Sequence, residues 1–130
     1  MDKTKKTIFF IEDDIYIAHI LGDRLMDAGY IIMHASDGAE AMKLIQKTET
    51  MQLVDLILLD LLLPEVHGFE VLKQLKKQKD TEFIPVIVLS NLGREEDVQK
   101  AKSMGAKDFL VKSNFTTQEI VDKVSNMLKS

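Results

Sequence analysis

The sequence predicts an α/β fold in which a parallel sheet is doubly wound, with helices on both faces. Three observations predict it. Short, continuous apolar runs alternate with amphipathic stretches along the whole chain. No repeat, linker or low-complexity stretch interrupts the alternation. Wherever a run ends on a polar residue, it does so at its carboxyl end. Such alternation argues parallel strands joined by right-handed crossovers. It does not by itself give the strand order.

Thr7 to Ile11 is the first apolar run, and its continuity suits a strand buried on both faces. It stops at Glu12-Asp13-Asp14. Ala18, Leu21, Leu25 and Ala28 then recur at helical spacing, flanked by Ile17 and Ile20. Asp14 is the expected N-cap and Gly29 the expected residue just past the helix. Tyr30 to Ala35 reads as the second strand, followed by a Ser36-Asp37-Gly38 turn. Ala39 to Lys47 reads as a short helix with Ala41, Leu44 and Ile45 inward. Leu53 to Asp60 is the expected third strand. Phe69, Leu72 and Leu75 stripe the next helix, whose end, with Lys73, Lys76, Lys77 and Lys79, reads as solvated. Pro85 to Leu89 is the fourth strand, with proline at its first residue, where a missing N–H is tolerated. After a Ser90-Asn91-Leu92-Gly93 loop, Glu95 to Met104 is a helix with acids in its first turn. Gly105 ends it. Asp108 to Val111 is the fifth strand. Thr116 to Lys129 is a final amphipathic helix with Ile120, Val124, Met127 and Leu128 inward.

Composition bounds the function. A chain of 130 residues, 45% hydrophobic and 29% charged, is expected to be one globular domain, residues 1–130 with a core at about 7–128. Seventeen basic against twenty-one acidic residues give a net charge of −4, which argues against direct nucleic-acid binding. Cysteine is absent, so there is neither a disulfide framework nor a thiolate metal site. No apolar run approaches a membrane span, and the stretch from Met1 to Lys6 lacks the apolar core of a signal peptide. A cytoplasmic protein is the expectation.

The strand ends carry the chemistry. Strand one ends in Glu12-Asp13, strand three in Asp60, strand four in Ser90 and strand five in Lys112. Asp60 lies near the far end of an aliphatic stretch running from Val54 to Pro64, where a buried charge is costly unless paired. The simplest escape is for the strand to end there, so that the carboxylate meets solvent. A single acid at a strand end is commonly a turn or cap residue. Four strand ends of five with complementary polar groups form a sharper signal. Neighbouring carboxyl ends of a doubly wound sheet share a crevice. Three carboxylates gathered there repel one another unless a cation joins them, and oxygen ligands suit Mg²⁺. With Lys112 and the Ser90 hydroxyl added, such a site can hold a phosphoryl group on one carboxylate.

These residues resemble the receiver domains of two-component response regulators, of the CheY type. The resemblance spans Thr7 to about Leu128. It rests on Phe10-Ile11-Glu12-Asp13-Asp14, Ala35-Ser36-Asp37-Gly38-Ala39-Glu40-Ala41, Asp60-Leu61-Leu62-Leu63-Pro64 with Gly68, Pro85 to Ser90, and Gly105 to Lys112. It implies a flavodoxin-like (βα)5 three-layer sandwich with strand order 2-1-3-4-5. It also implies Asp60 as phosphoacceptor, with Mg²⁺ held by Asp13, by Glu12 through water, by Asp60 and by the carbonyl of Leu62. Ser90 and Lys112 would contact the phosphoryl group, and Phe109 would be a switch that turns inward when Ser90 moves. The partners implied are a histidine kinase or histidine phosphotransfer protein, and a downstream effector or linked output domain read through the fourth helix, fifth strand and fifth helix. Either a monomer or a phosphorylation-linked homodimer fits. No output domain is expected within these residues, in a stand-alone receiver or in a piece of a larger regulator.

Some positions depart from the family pattern. Ser113 replaces the usual proline after the lysine. A cis bond without proline costs roughly 2.5–4 kcal/mol, so a trans Lys112–Ser113 bond and a reshaped loop through Asn114 are expected. Asn91 stands where the family prefers a very small residue; it narrows access, donates to the phosphoryl, or simply faces solvent. Leu62 and Leu92 flank the line of water attack and cannot orient a water, which implies slow self-dephosphorylation. Phe109 lacks a tyrosine hydroxyl, so its switching would be steric. His19, His34 and His67 lack ligand spacing and read as structural or solvent-facing. Two rival readings remain. A degenerate receiver would bind partners without phosphorylation. A haloacid-dehalogenase-like phosphatase would need a second aspartate where Leu62 stands. On the receiver reading the chain is not an enzyme, beyond handling its own phosphoryl group.

Overall fold

In a computed structural model, which describes residues 5–129, five parallel strands form one sheet in the order β2-β1-β3-β4-β5. The strands are β1 (Thr7–Ile11), β2 (Ile31–Ala35), β3 (Leu56–Leu59), β4 (Val86–Ser90) and β5 (Asp108–Val111). Five helices connect and follow them: α1 (Ile15–Asp27), α2 (Gly38–Ile45), α3 (Gly68–Lys77), α4 (Glu95–Ser103) and α5 (Thr117–Leu128). The strand order is the one the resemblance implies. Residues 1–4, part of the segment read as lacking a signal core, and Ser130 lie outside the described residues. No helix among the described residues is long and apolar enough to cross a membrane.

Strand alternation builds two cores. Phe9, Ile11, Ile57, Leu59, Val86 and Val88 face α2, α3 and α4, where Ala41, Ile45, Val71, Leu72, Leu75 and Ala101 meet them. Ile8, Phe10, Leu56, Leu58, Ile87 and Leu89 face α1 and α5, against Leu21, Leu25, Ile120, Val121 and Val124. The continuous apolar runs follow from this, because helices cover both faces.

The caps follow local chemistry. Asp14 caps α1 by accepting from the N–H groups of Tyr16 and Ile17. Gly29 and Gly105 end α1 and α4 with φ of 102° and 107°. Thr116 and Glu119 form a reciprocal capping box at the start of α5.

Several boundaries differ from expectation. β3 begins at Leu56 rather than Leu53; Leu53 is exposed, and the Asp55 carboxylate accepts from the Thr7 N–H at 2.8 Å. A one-turn helix, Thr48–Met51, follows α2 and sets Met51 in the core, an element the weak local pattern did not reveal. Lys76 is not simply solvated. Its ammonium donates to the carbonyls of Glu82 and Ile84, both at 2.9 Å, tying α3 to the loop before β4. No peptide bond among the described residues is cis, and Lys112–Asn114 forms a single 3-10 turn.

One glycine holds the sheet's carboxyl edge in place. Gly68 opens α3 directly behind the Asp60–Leu61 peptide, and its N–H donates to the Leu61 carbonyl at 3.0 Å. A Cβ there would collide with the Leu61 Cα and the Asp60 carbonyl oxygen. Because the obstruction is backbone, no side chain can give way. Gly68→Ala is expected to destabilise the fold by about 1–3 kcal/mol, measured by urea unfolding. An unchanged midpoint would show that the α3 entry yields freely.

Candidate functional site at the carboxyl ends of the strands

Burial of β3 draws Asp60 inward. Four consecutive aliphatic residues, Leu56 to Leu59, are wholly buried, each contributing about 1.5–3 kcal/mol. That gain exceeds the cost of several kcal/mol for burying an ion, provided the ion is paired. The carboxylate therefore does not meet solvent as expected. It is 5% exposed and paired with Lys112.

Lys112 stands between two carboxylates. Its Nζ lies 2.9 Å from Asp60 Oδ2 and 2.6 Å from Glu12 Oε1. The first contact is an aligned hydrogen bond. The second is a close ion pair without that alignment, so buried Oε1 meets the ammonium but no aligned hydrogen-bond donor among the described residues. The other oxygens are held by the backbone. The Asp14 N–H donates to Glu12 Oε2 at 3.0 Å, and the Leu62 N–H donates to Asp60 Oδ1 at 3.0 Å. Asp13 completes the group from the exposed side. One carboxylate oxygen each from Glu12, Asp13 and Asp60 lies within 4.8 Å of the others.

Burial is the largest influence on Glu12 and raises its pKa from 4.5 to about 7, against the lowering effect of Lys112 and the Asp14 N–H. Burial also works against the Lys112 ammonium, but its close contacts with the Glu12 and Asp60 carboxylates carry its pKa above 10.5. Three carboxylates around one ammonium leave room for further positive charge.

The remaining expected residues lie nearby in different ways. Ser90, fully buried at the end of β4, accepts from the Leu92 N–H at 3.2 Å and does not bond Asp60. Phe109 is 9% exposed and packs inward with the α2–α3–α4 core, beside Val88 in register. Leu62 is 47% exposed at the mouth. Leu62 and Leu92 line one groove of about 410 Å³ with His67, Phe69, Glu70, Arg94, Asp97 and Lys100. Asn91 is exposed.

The family model for the response regulator receiver domain matches residues 8–125. The chain belongs to this family. The transcriptional regulator RpaA of Synechocystis sp. is 35% identical over 122 residues, covering 94% of this chain and 48% of RpaA. The receiver domain thus spans about half the length of the curated relatives it matches. Among solved structures, phosphorylated RcpA, a cyanobacterial phytochrome response regulator, is 31% identical with a TM-score of 0.84, covering 98% of this chain and 96% of its own. The Mn²⁺-bound response regulator Rcp1 is 28% identical with a TM-score of 0.83, covering 96% of each chain. Membership places the receiver domain in two-component signalling, a signalling rather than a catalytic family.

Two histidines that read as structural or solvent-facing have specific partners around the site. His67 is the N-cap of α3, accepting from the Phe69 N–H at 3.2 Å and stacking on the Phe69 ring. His34 bonds the Glu12 carbonyl. The only signal for His67 was its place just before a helix-opening glycine. His34 left no signal, because its partner is 22 residues away.

The Glu12 carboxyl gives a pH dependence in metal-free protein. Its folded pKa of about 7 exceeds its ordinary 4.5. The folded state therefore binds more protons between these values. The stability Glu12 contributes is full below pH 4.5 and is lost as pH rises through about 7. The slope reaches at most about 1.4 kcal/mol per pH unit. Urea unfolding across this range is expected to show that loss in wild type and a flatter profile in Glu12→Gln. Equal slopes would place the titration elsewhere.

Proposed function

We propose that this receiver domain accepts a phosphoryl group on Asp60 from the phosphohistidine of a histidine kinase or histidine phosphotransfer protein. The observation that carries the reading is the Lys112 ammonium held at once by Asp60 and Glu12. The donor set fits a hard cation: one carboxylate oxygen each from Glu12, Asp13 and Asp60 lies within 4.8 Å of the others, and buried Glu12 Oε1 lacks an aligned hydrogen-bond donor among the described residues. Glu12, Asp13, Asp60 and the Leu62 carbonyl would hold Mg²⁺. When bound, Mg²⁺ would neutralise charge on the transferring phosphoryl oxygens. RcpA, a similar protein, is described as phosphorylated and Rcp1 as Mn²⁺-bound, which supports the reading.

The residues divide the work. An Asp60 oxygen bonds to phosphorus as the P–N bond to the donor imidazole breaks, and the electron pair leaves on nitrogen. Lys112, already at Asp60 Oδ2, needs only a small shift to pair with the phosphoryl oxygens. The Ser90 hydroxyl accepts from Leu92, so its own proton is available to donate. A phosphoryl group adds about −1.5 to −2 charge at a packed strand tip. That charge biases Ser90 and the segment to Met104 toward a second arrangement, with Phe109 following sterically. The surface of α4, β5 and α5 presents the change to an effector or to a linked output domain. RpaA, a DNA-binding regulator twice this length, supports the latter.

The test is incubation of the chain with Mg²⁺ and a small acyl phosphate, followed by intact mass measurement. The expected product carries one base-labile phosphoryl group, absent in Asp60→Asn. Absence of the adduct, even with a phosphorylated kinase, would favour a phosphorylation-independent interaction module.

Leu62 and Leu92 line the groove beside Asp60, and their side chains offer no atom that orients water. We expect the phosphoryl group to persist. The double variant Leu62→Asn, Leu92→Glu is expected to lose phosphate several-fold faster in a decay assay. An unchanged lifetime would reject this role for the two leucines.

A further inference from the structure

The three carboxylates are not equally fixed. Glu12 is held by Lys112 and the Asp14 N–H, and Asp60 by Lys112 and the Leu62 N–H. Asp13 is exposed, and among the described residues no hydrogen bond or ion pair holds its carboxylate. Its direction therefore depends on the backbone that carries it.

That backbone has just left the sheet. The β1–β2 ladder ends at the Ile11–Ala35 pair, with one further bond from the Glu12 N–H to the Ala35 carbonyl at 3.0 Å. Beyond this, β2 offers the Glu12 carbonyl no backbone partner. His34 supplies one from its side chain: Nε2 lies 2.8 Å from the Glu12 oxygen. A carbonyl only accepts, so Nε2 carries the proton and donates. The ring is braced against Phe10, with centroids 5.9 Å apart.

The bonded oxygen belongs to the peptide group that joins Glu12 to Asp13. A peptide group is planar, so fixing its oxygen also fixes the nitrogen and Cα of Asp13. Rotation of that plane would swing the Asp13 carboxylate away from Glu12 and Asp60. We propose that His34 is a positioning residue for the metal site: its Nε2–H locks the Glu12–Asp13 peptide and thereby aims Asp13 at the cation. The proposal rests on the reading of Glu12 and Asp13 as metal-holding residues. Outer groups that orient metal ligands commonly matter this much, since their removal typically costs 10–100-fold in affinity.

The test uses the full chain and measures Mg²⁺ affinity by calorimetry, with no phosphodonor present. His34→Phe keeps a ring against Phe10 but removes the donor. His34→Gln returns an N–H near the Nε2 position. Each variant is measured where circular dichroism shows it folded. His34→Phe is expected to weaken Mg²⁺ binding about tenfold, and His34→Gln to recover most of the loss. An Asp13→Asn control separates the two levels of failure. If Asp13→Asn weakens binding but His34→Phe does not, the positioning role is overturned while the metal reading stands. Equal weakening in His34→Phe and His34→Gln also overturns it, because the donor would not be what matters. If Asp13→Asn leaves the affinity unchanged, the metal reading fails and the positioning role fails with it.

Discussion

Everything at the carboxyl edge of the sheet depends on one buried ammonium. Lys112 is 11% exposed and its two carboxylate partners are 0% and 5% exposed. Removing such charges from water costs several kcal/mol per ion. Their pairing makes this tolerable, and backbone N–H groups satisfy one more oxygen on each carboxylate. The arrangement is still incomplete in charge and in hydrogen bonding. Glu12 keeps a raised pKa, and its Oε1 meets Lys112 without an aligned hydrogen bond. A site in this condition is suited to taking up a cation.

The fold supplies rigidity where that site needs it. β1 and β3 pair in register up to Ile11 and Leu59, which sets Glu12 and Asp60 side by side. The helix-opening Gly68 packs against the backbone of Asp60 and Leu61. Among the described residues the Ser90 hydroxyl bonds only the turn that follows it, and α4 beyond fully buries only Asp97 and Ala101.

Much of this was legible in the chain. Apolar runs of four or five residues showed strands covered on both faces. Asp14, Gly29 and Gly105 marked helix ends through their own conformational preferences. Polar residues at successive strand ends named Glu12, Asp13, Asp60, Ser90 and Lys112 together. These are local properties: periodicity, caps and turn chemistry act within a few residues, so the sequence displays them directly. The short helix Thr48–Met51 escaped because one turn has too little periodicity to register.

Contacts between distant residues decided the rest. Asp60 was expected to reach solvent, because nothing within the run of β3 could pair with it. The partner came from 52 residues further along the chain. Lys76 looked like one of several solvated lysines until the loop before β4 folded back to place two carbonyls at its ammonium. His34 looked bland because its role depends on where β1 runs out of ladder partners. The residue types and their order therefore established the sheet, its helices and the chemistry gathered at one edge. Tertiary packing alone established which charges are buried and which partners neutralise them. Burial and pairing are properties of a neighbourhood, and a neighbourhood exists only once the chain has folded.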